Sequence, residues 1–298
     1  MNVSLSIFIV ALPALLLQAC AVSLQGFVAD EKIIIDSEKI IAWPKSVNET
    51  SGLALHQDLV WTINDSGDGA FVYGLTKQGR LAKKISIRNA KNYDYEELAQ
   101  DQNYLYVADI GDNFFQRKQL IIYRLGWEDI DRAKHQGEVT ADLITVQLND
   151  TSQFKHQYSH NYDFEALSVK GDELWLFSKN RLDGNSELYR LPKQPGLYKV
   201  DSVASFATKG LVTAADIHPQ TQMAVLLAYQ IHNRSFASYF WLVPAGSDGL
   251  DWAKAKSYEI SPGGQWEAIK WSKDGSELIL SREDNFQGGM AVATIKPN

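Results

Sequence analysis

Cysteine is almost missing from this chain: there is one, Cys20, in 298 residues. A lone cysteine forms no internal disulfide, and no cysteine pair is present to hold zinc, so disulfide scaffolds and thiolate zinc sites are excluded. Positive charge is also in deficit, with 29 Lys and Arg against 36 Asp and Glu, a net charge of −7, and scattered bases. The electrostatic footprint of nucleic-acid binding is therefore absent, and an anionic membrane surface would not attract the domain. The G-x-S-x-G elbow, the P-loop and H-E-x-x-H are missing too, which removes the best-marked hydrolase, nucleotide and zinc-peptidase chemistries. His156 and His160 have metal-like spacing, but nothing nearby completes a ligand set, so both are expected to be exposed loop residues.

The apolar run from Leu5 to Leu17, interrupted by Pro13, is too short to span a bilayer. It sits in residues 1–19, which carry no charged side chain, and leads into Leu17-Gln18-Ala19-Cys20. That order resembles a bacterial lipobox, so 1–19 reads as a lipoprotein signal peptide, Cys20 as the lipidation site and 20–29 as a tether. In such lipoproteins Ala21 after the cysteine favours the outer membrane. The expectation is an outer-membrane lipoprotein facing the periplasm, held to the membrane by its lipid alone.

What is plentiful is aromatic: 8 Trp, 13 Tyr and 12 Phe. Aromatic and β-branched side chains suit pleated, half-buried surfaces, which points to an all-β body. A repeat organises it. Five segments begin units of roughly fifty residues: ETSGLAL at Glu49, DYEELAQ at Asp94, DFEALSV at Asp163, VTAADIH at Val212 and QWEAIKW at Gln265. Glu96, Glu165 and Glu267 take matching places, with Ser51 and Ala215 aligned to them in the first and fourth units. Each segment leads to a second strand, a polar loop, and a third strand with cores such as VYGL, IYRL and LYRL, whose aromatics are expected between blades. A fourth strand closes most units, which makes each unit a propeller blade. The fifth unit runs out of chain after MAVATI, and EKIIIDSEKIIAW at the start can supply its missing strand. Residues 30–298 are thus expected to form a five-bladed β-propeller, closed by an N-terminal strand completing the last blade. Residues 127–137 carry acids early and bases late and predict a helix inserted in blade 2.

In a propeller the turn entering strand one and the turn leaving strand two share a face. Glu49, Asp94, Asp163 and Gln265 should then converge on one mouth, with Glu96, Glu165 and Glu267 just inside it. Asn64, Asp65, Asp109, Asp112, Asn113, Lys179, Asn180, Tyr229, Arg282 and Glu283 should meet them from the strand-two side. The stretch WTINDSGDG, residues 61–69, is first a hairpin turn, because Asn, Asp, Ser and Gly suit turn dihedrals. It fails as an EF-hand: the first ligand position is Asn64 and the twelfth is Leu75. Crowded carboxylates still need relief from a divalent cation, from neighbouring bases, or from raised pKa values. If a cation provides it, Ca2+ on Asp65, Glu96, Asp109, Glu165 and Glu267 is expected.

The strings ETSGL, NDSG, DYEELA, YVADIGDN, DFEALS, LFSKN and WEAI resemble a bacterial group of propeller proteins, loosely similar to phytase-like and esterase-like propellers. The resemblance covers most of the chain beyond the leader and implies the same mouth. Phytase-like propellers hold calcium and a phosphate ester on a carboxylate-rich face. Three functions stay open at this level: binding of a small polar ligand or an envelope protein at the mouth, metal-dependent hydrolysis of phosphoesters or esters, and a non-catalytic envelope scaffold.

Overall fold

The computed structural model describes residues 27–36, 40–151, 159–232, 235–283 and 291–297. The leader, Cys20 and His156 lie outside them. Among the described residues no helix is long and apolar enough to cross a membrane.

Strand β1 (Glu31–Ile34) precedes five blades. Blade 1 holds β2 (Thr50–His56), β3 (Leu59–Asn64), β4 (Phe71–Thr76) and β5 (Leu81–Ile87). Blade 2 holds β6 (Tyr95–Gln100), β7 (Tyr104–Asp109), β8 (Leu120–Gly126), helix α1 (Trp127–Arg132), β9 (Gln136–Val139) and β10 (Asp142–Leu148). Blade 3 holds β11 (Phe164–Lys170), β12 (Glu173–Ser178), β13 (Ser186–Pro192), β14 (Gly196–Val200) and β15 (Ser202–Phe206). Blade 4 holds β16 (Leu211–Ile217), β17 (Met223–His232), β18 (Ser235–Pro244) and β19 (Lys256–Ser261). Blade 5 holds β20 (Trp266–Trp271), β21 (Leu278–Arg282) and β22 (Ala291–Ile295). The successive strands of each blade pair antiparallel, with β1, β9 and β14 added to the outside of neighbouring sheets, and the innermost strands β2, β6, β11, β16 and β20 pack in a closed ring. The protein is an all-β, five-bladed β-propeller.

Five apolar cores, one at each junction, fasten the blades. Trp61, Ile63, Tyr95 and Tyr123 fill the junction of blades 1 and 2, and Ile122, Phe164 and Tyr189 that of blades 2 and 3. Trp175, Phe177 and Trp241 fill the next, followed by Phe240, Tyr258 and Trp266. Leu53, Tyr73, Ala268 and Val292 complete the circle between blades 5 and 1. The third-strand aromatics Tyr73, Tyr123, Tyr189 and Trp241 therefore do lie between blades. Truncating one of the large buried rings to alanine costs about 3–5 kcal/mol.

Closure uses the N-terminal segment in two pieces. Ile41 makes a two-way backbone bridge with Val292 of the last blade, N to O at 3.0 Å in both directions. The earlier half, β1, instead lies parallel to β19 on the outside of blade 4. Two other strands do the same: β9 of blade 2 lies parallel to β5 of blade 1, and β14 of blade 3 parallel to β10 of blade 2. In each case the segment just before a blade's fourth strand covers the previous blade's outer edge, which protects that edge from stray pairing. The helix expected over 127–137 is shorter, ending at Arg132, because the chain then extends as β9 to make this pairing.

Candidate functional site

The acids of the innermost strands owe their aim to a bulge that recurs in every blade. The ladder pairs Tyr95 with Asp109 and then Glu97 with Ala108, which leaves Glu96 as the extra residue. Glu165 and Glu267 are the extra residues of blades 3 and 5. A bulge turns a side chain out of the regular alternation, here toward the mouth. In blade 4 the slip falls between Val212 and Ala214, so Thr213 holds this place, two residues before the expected Ala215. In blade 1 the irregular stretch is Ser51-Gly52.

The mouth carboxylates separate into those salt-bridged to a base and those that form no salt bridge among the described residues. Asp109 Oδ1 accepts from Arg117 Nη1 at 2.8 Å and from the Asp94 N–H at 3.1 Å. Asp163 Oδ2 accepts from Arg181 Nε and Nη2 at 3.1 and 2.9 Å, and its Oδ1 takes the Asp112 N–H at 2.9 Å. Glu165 accepts from buried Lys179, with Arg181 Nη2 at 3.8 Å from the same oxygen. Burial opposes ionisation of Asp163, yet Arg181 and then Lys179 hold its carboxyl below the usual value. Burial raises Glu165, whereas Lys179 is held well protonated, with Glu165 outweighing its burial. The pair is ionised, because Arg181 adds a second positive charge beside the shared oxygen.

Among the described residues Asp65, Asp94 and Glu96 form no salt bridge, although Lys179 acts on Asp65 and Glu96 and Arg117 on Asp94 from a distance. One oxygen from each lies within 4.8 Å of the others. Burial raises all three; Asp94 is pushed up to about 7, by burial first and then by Asp65 and Asp163. For Glu96, only 5% exposed, burial is followed by repulsion from Glu165, Asp65 and Asp94. Gly111 of the DIGDN string explains how they fit. A Cβ there would stand 2.2 Å from Glu96 Oε1 and 2.4 Å from Asp94 Oδ2, so glycine lets both carboxylates keep these positions, and any larger residue would make them shift. On the blade 5 side, burial raises Glu267, and burial and then Glu267 push Glu283 up to about 9. Glu283 accepts from the Gln265 side-chain amide. Tyr229 is buried among Lys179, Glu267, Glu165 and Arg181, with Lys179 Nζ 5.3 Å from its ring centroid. Glu49 stands exposed at the rim, raised by its partial burial and then by Asp65 and Asp68.

Other expected mouth residues hold the architecture. Asn64 Nδ2 donates to Ser46 O at 3.0 Å and Asp68 Oδ2 at 2.9 Å, which ties the NDSGDG hairpin. Gly67 supplies that turn's positive φ of 92°. Asp112 accepts from the N–H groups of Gln116 and Arg117 at 2.7 and 2.9 Å, and thereby presents Arg117 to Asp109. Asn113 bridges Arg181 and Asp94. Asn180 is buried beside Ser178 and donates to exposed Asp183 at 3.2 Å, and the Arg282 guanidinium lies 5.2 Å from the Trp266 ring centroid. His160, expected to be exposed, is fully buried: it meets Asn113 O at 3.1 Å and accepts from the Tyr162 N–H.

Arg117, Arg181, Asn92 and Glu97 were not singled out by the sequence pattern. Arg117 and Arg181 follow the strand-two exits DIGDN and SKN by a few residues, a signal that was readable. Asn92 Nδ2 donates to Asn64 O and Asp65 O at 3.1 and 2.8 Å, which holds the blade 1 loop against blade 2.

No protein-family model and no curated protein matches the chain. Among solved structures, it is similar to the catalytic domain of a Coprinopsis cinerea GH62 α-L-arabinofuranosidase, at 11% identity and TM-score 0.48, covering 90% of this chain and 95% of that one. It is also similar to U3-55K, at 9% identity and TM-score 0.45, over 88% and 100% of the two chains. The Neurospora crassa Pan2 WD40 domain aligns at 11% identity and TM-score 0.43, over 87% and 94%.

Proposed function

We propose that the mouth binds a divalent cation, calcium, on Asp65, Asp94 and Glu96, and with it a small polar ligand or a polar group of an envelope protein. The observation that carries this reading is the convergence within 4.8 Å of three carboxylates from two blades that form no salt bridge among the described residues. All-oxygen, negatively charged donors suit a hard cation, and calcium takes further oxygens from water or ligand. Asp109 and Glu165, also expected as ligands, are engaged by Arg117 and Lys179 and serve here as the frame around the cation. The Cys20 lipobox supports placing the domain on a lipid tether at the outer membrane, facing the periplasm.

Calorimetric titration of residues 21–298 with calcium chloride tests the reading. One site, lost in Asp65→Asn and in Glu96→Gln, supports it. Absence of binding heat together with an unchanged melting temperature rejects it.

A second reading, metal-dependent hydrolysis of esters or phosphoesters, is favoured by Lys179, Arg181 and Tyr229, which are buried together beside Glu165 and supply positive charge and a hydroxyl for a developing oxyanion. Calcium-dependent turnover in a phosphoester and ester screen, abolished in Glu96→Gln, would establish it. No turnover with calcium bound leaves the binding protein.

A further inference from the structure

The residue after the bulge is small in four blades, Gly52, Ala166, Ala214 and Ala268, and is Glu97 in blade 2. Glu97 is 1% exposed, and its oxygens have fixed partners. Oε1 accepts from the Leu98 N–H at 2.9 Å, and Oε2 from the Ala215 N–H at 3.2 Å. Ala215 belongs to blade 4, which is not a neighbour of blade 2: blade 3 stands between them in the ring. Lys270 of blade 5 and Asp216 of blade 4 act on the same carboxylate, and these two pair at 2.8 Å. One side chain thus meets groups from blades 2, 4 and 5, which in a five-membered ring is possible only near the axis. Glu96, its neighbour on the bulge, packs its carboxylate against Gly111 and Asp94, and the bulge backbone it shares with Glu97 sets the direction from which it does so.

We propose that Glu97 is the hub of the ring: its carboxylate plugs the central channel, making the mouth a blind cup, and acts as a positioning residue that aims Glu96. The second half rests on the cation reading above; the first half does not. A buried carboxylate accepting from backbone N–H groups of two different blades ties them by charge-assisted hydrogen bonds. It also locks the dihedrals of the bulge that presents Glu96. Glycine at position 52 belongs to the same fit, since a Cβ there would stand 2.0 Å from the Leu98 nitrogen.

The test exploits the space left by Glu97→Ala, which is carboxylate-sized and bordered by the Leu98 and Ala215 N–H groups. Melting curves of wild type, Glu97→Ala and the isosteric Glu97→Gln are recorded in sodium formate, sodium acetate and sodium chloride at equal ionic strength. The hub predicts a lowered melting temperature in Glu97→Ala, partly restored by formate or acetate and not by chloride, with wild type indifferent to the anion. No carboxylate-specific recovery overturns it; if Glu97→Ala does not fold in any salt, an unchanged melting temperature in Glu97→Gln overturns it instead. Calcium titration reads the positioning role. Affinity should fall roughly ten- to hundred-fold in Glu97→Ala, as for removal of a group that orients a metal ligand, and recover with formate. Wild-type affinity in that variant overturns the positioning role. A wild type that binds no calcium defeats the cation reading alone, and the melting curves still decide the hub.

Discussion

Asp65 leaves blade 1 and Asp94 enters blade 2, yet an oxygen of one lies within 4.8 Å of an oxygen of the other. Burial raises both carboxyls first; Asp65 then raises Asp94, whereas a hydrogen bond from Asp94 lowers Asp65, so the two share a proton below the pH at which Asp94 ionises. Above about pH 7, where Asp94 also ionises, the pair stores repulsion that a cation or a substitution can release. Asp65→Asn should raise the melting temperature of the calcium-free protein by about 2–4 °C per kcal/mol released. The same variant should lose the gain that calcium gives wild type. Differential scanning calorimetry with and without calcium checks both halves.

Gly111→Ala places a methyl group against Glu96 and Asp94. Overpacking of this kind costs about 1–3 kcal/mol, so the variant should fold with a lowered melting temperature. Its calcium heat should vanish, because the two carboxylates must move apart. Calorimetry on the folded variant decides this; intact binding would mean that the cradle does not need glycine.

The pH dependence has a definite sign. Asp94 titrates at about 7 and Glu283 at about 9 when folded, both above their ordinary carboxyl values near 4. The folded state then holds more protons than the unfolded one across that interval, so stability falls as pH rises through it. Without calcium, the melting temperature should decline from about pH 5 to about pH 9, and less steeply in Asp94→Asn. Asp163 is shifted down, so its contribution is lost as pH falls below the ordinary Asp value toward its own. Calcium affinity should rise with pH over the range in which stability falls, because binding needs the ionised carboxylates.

Lys179→Met leaves Glu165 buried beside Asp163 and Glu267 without its ammonium. Stranding one member of a buried pair costs about 3–5 kcal/mol, while replacing both members costs much less. Lys179→Met should be strongly destabilised, and Lys179→Met with Glu165→Gln should recover most of the loss. Urea melts of the two variants and wild type give the comparison.

The blade count was legible because each blade repeats one pattern of strand, turn and aromatic, and that pattern follows from burial between neighbours. Glu96, Glu165 and Glu267 were legible for the same reason. The bulge that aims them was not, since an extra residue in a ladder shows only when the partner strand is known. That is why blade 4 was aligned on Ala215, when Thr213 occupies the bulge. Glu97 was hidden by standing next to Glu96: two adjacent acids in a strand look like one acidic edge, although here one faces the mouth and the other reaches blade 4. The parallel strands β9, β14 and β1 were likewise unreadable, because their partners belong to a different blade.

The split N-terminal segment constrains how the protein can be made. β1 pairs with β19 and Ile41 with Val292, so a stretch translated early finds its partners only in the last two blades. Junctions among blades 1, 2 and 3 can form as the chain emerges, but the outer edge of blade 4 and the seam of blade 5 wait for the end of synthesis. Pairings so distant in sequence form slowly, and unpaired edges are open to wrong partners meanwhile. Ribosome-bound intermediates that stop short of blade 5 should thus expose residues 31–41 to proteases or to chaperones that hold extended chains.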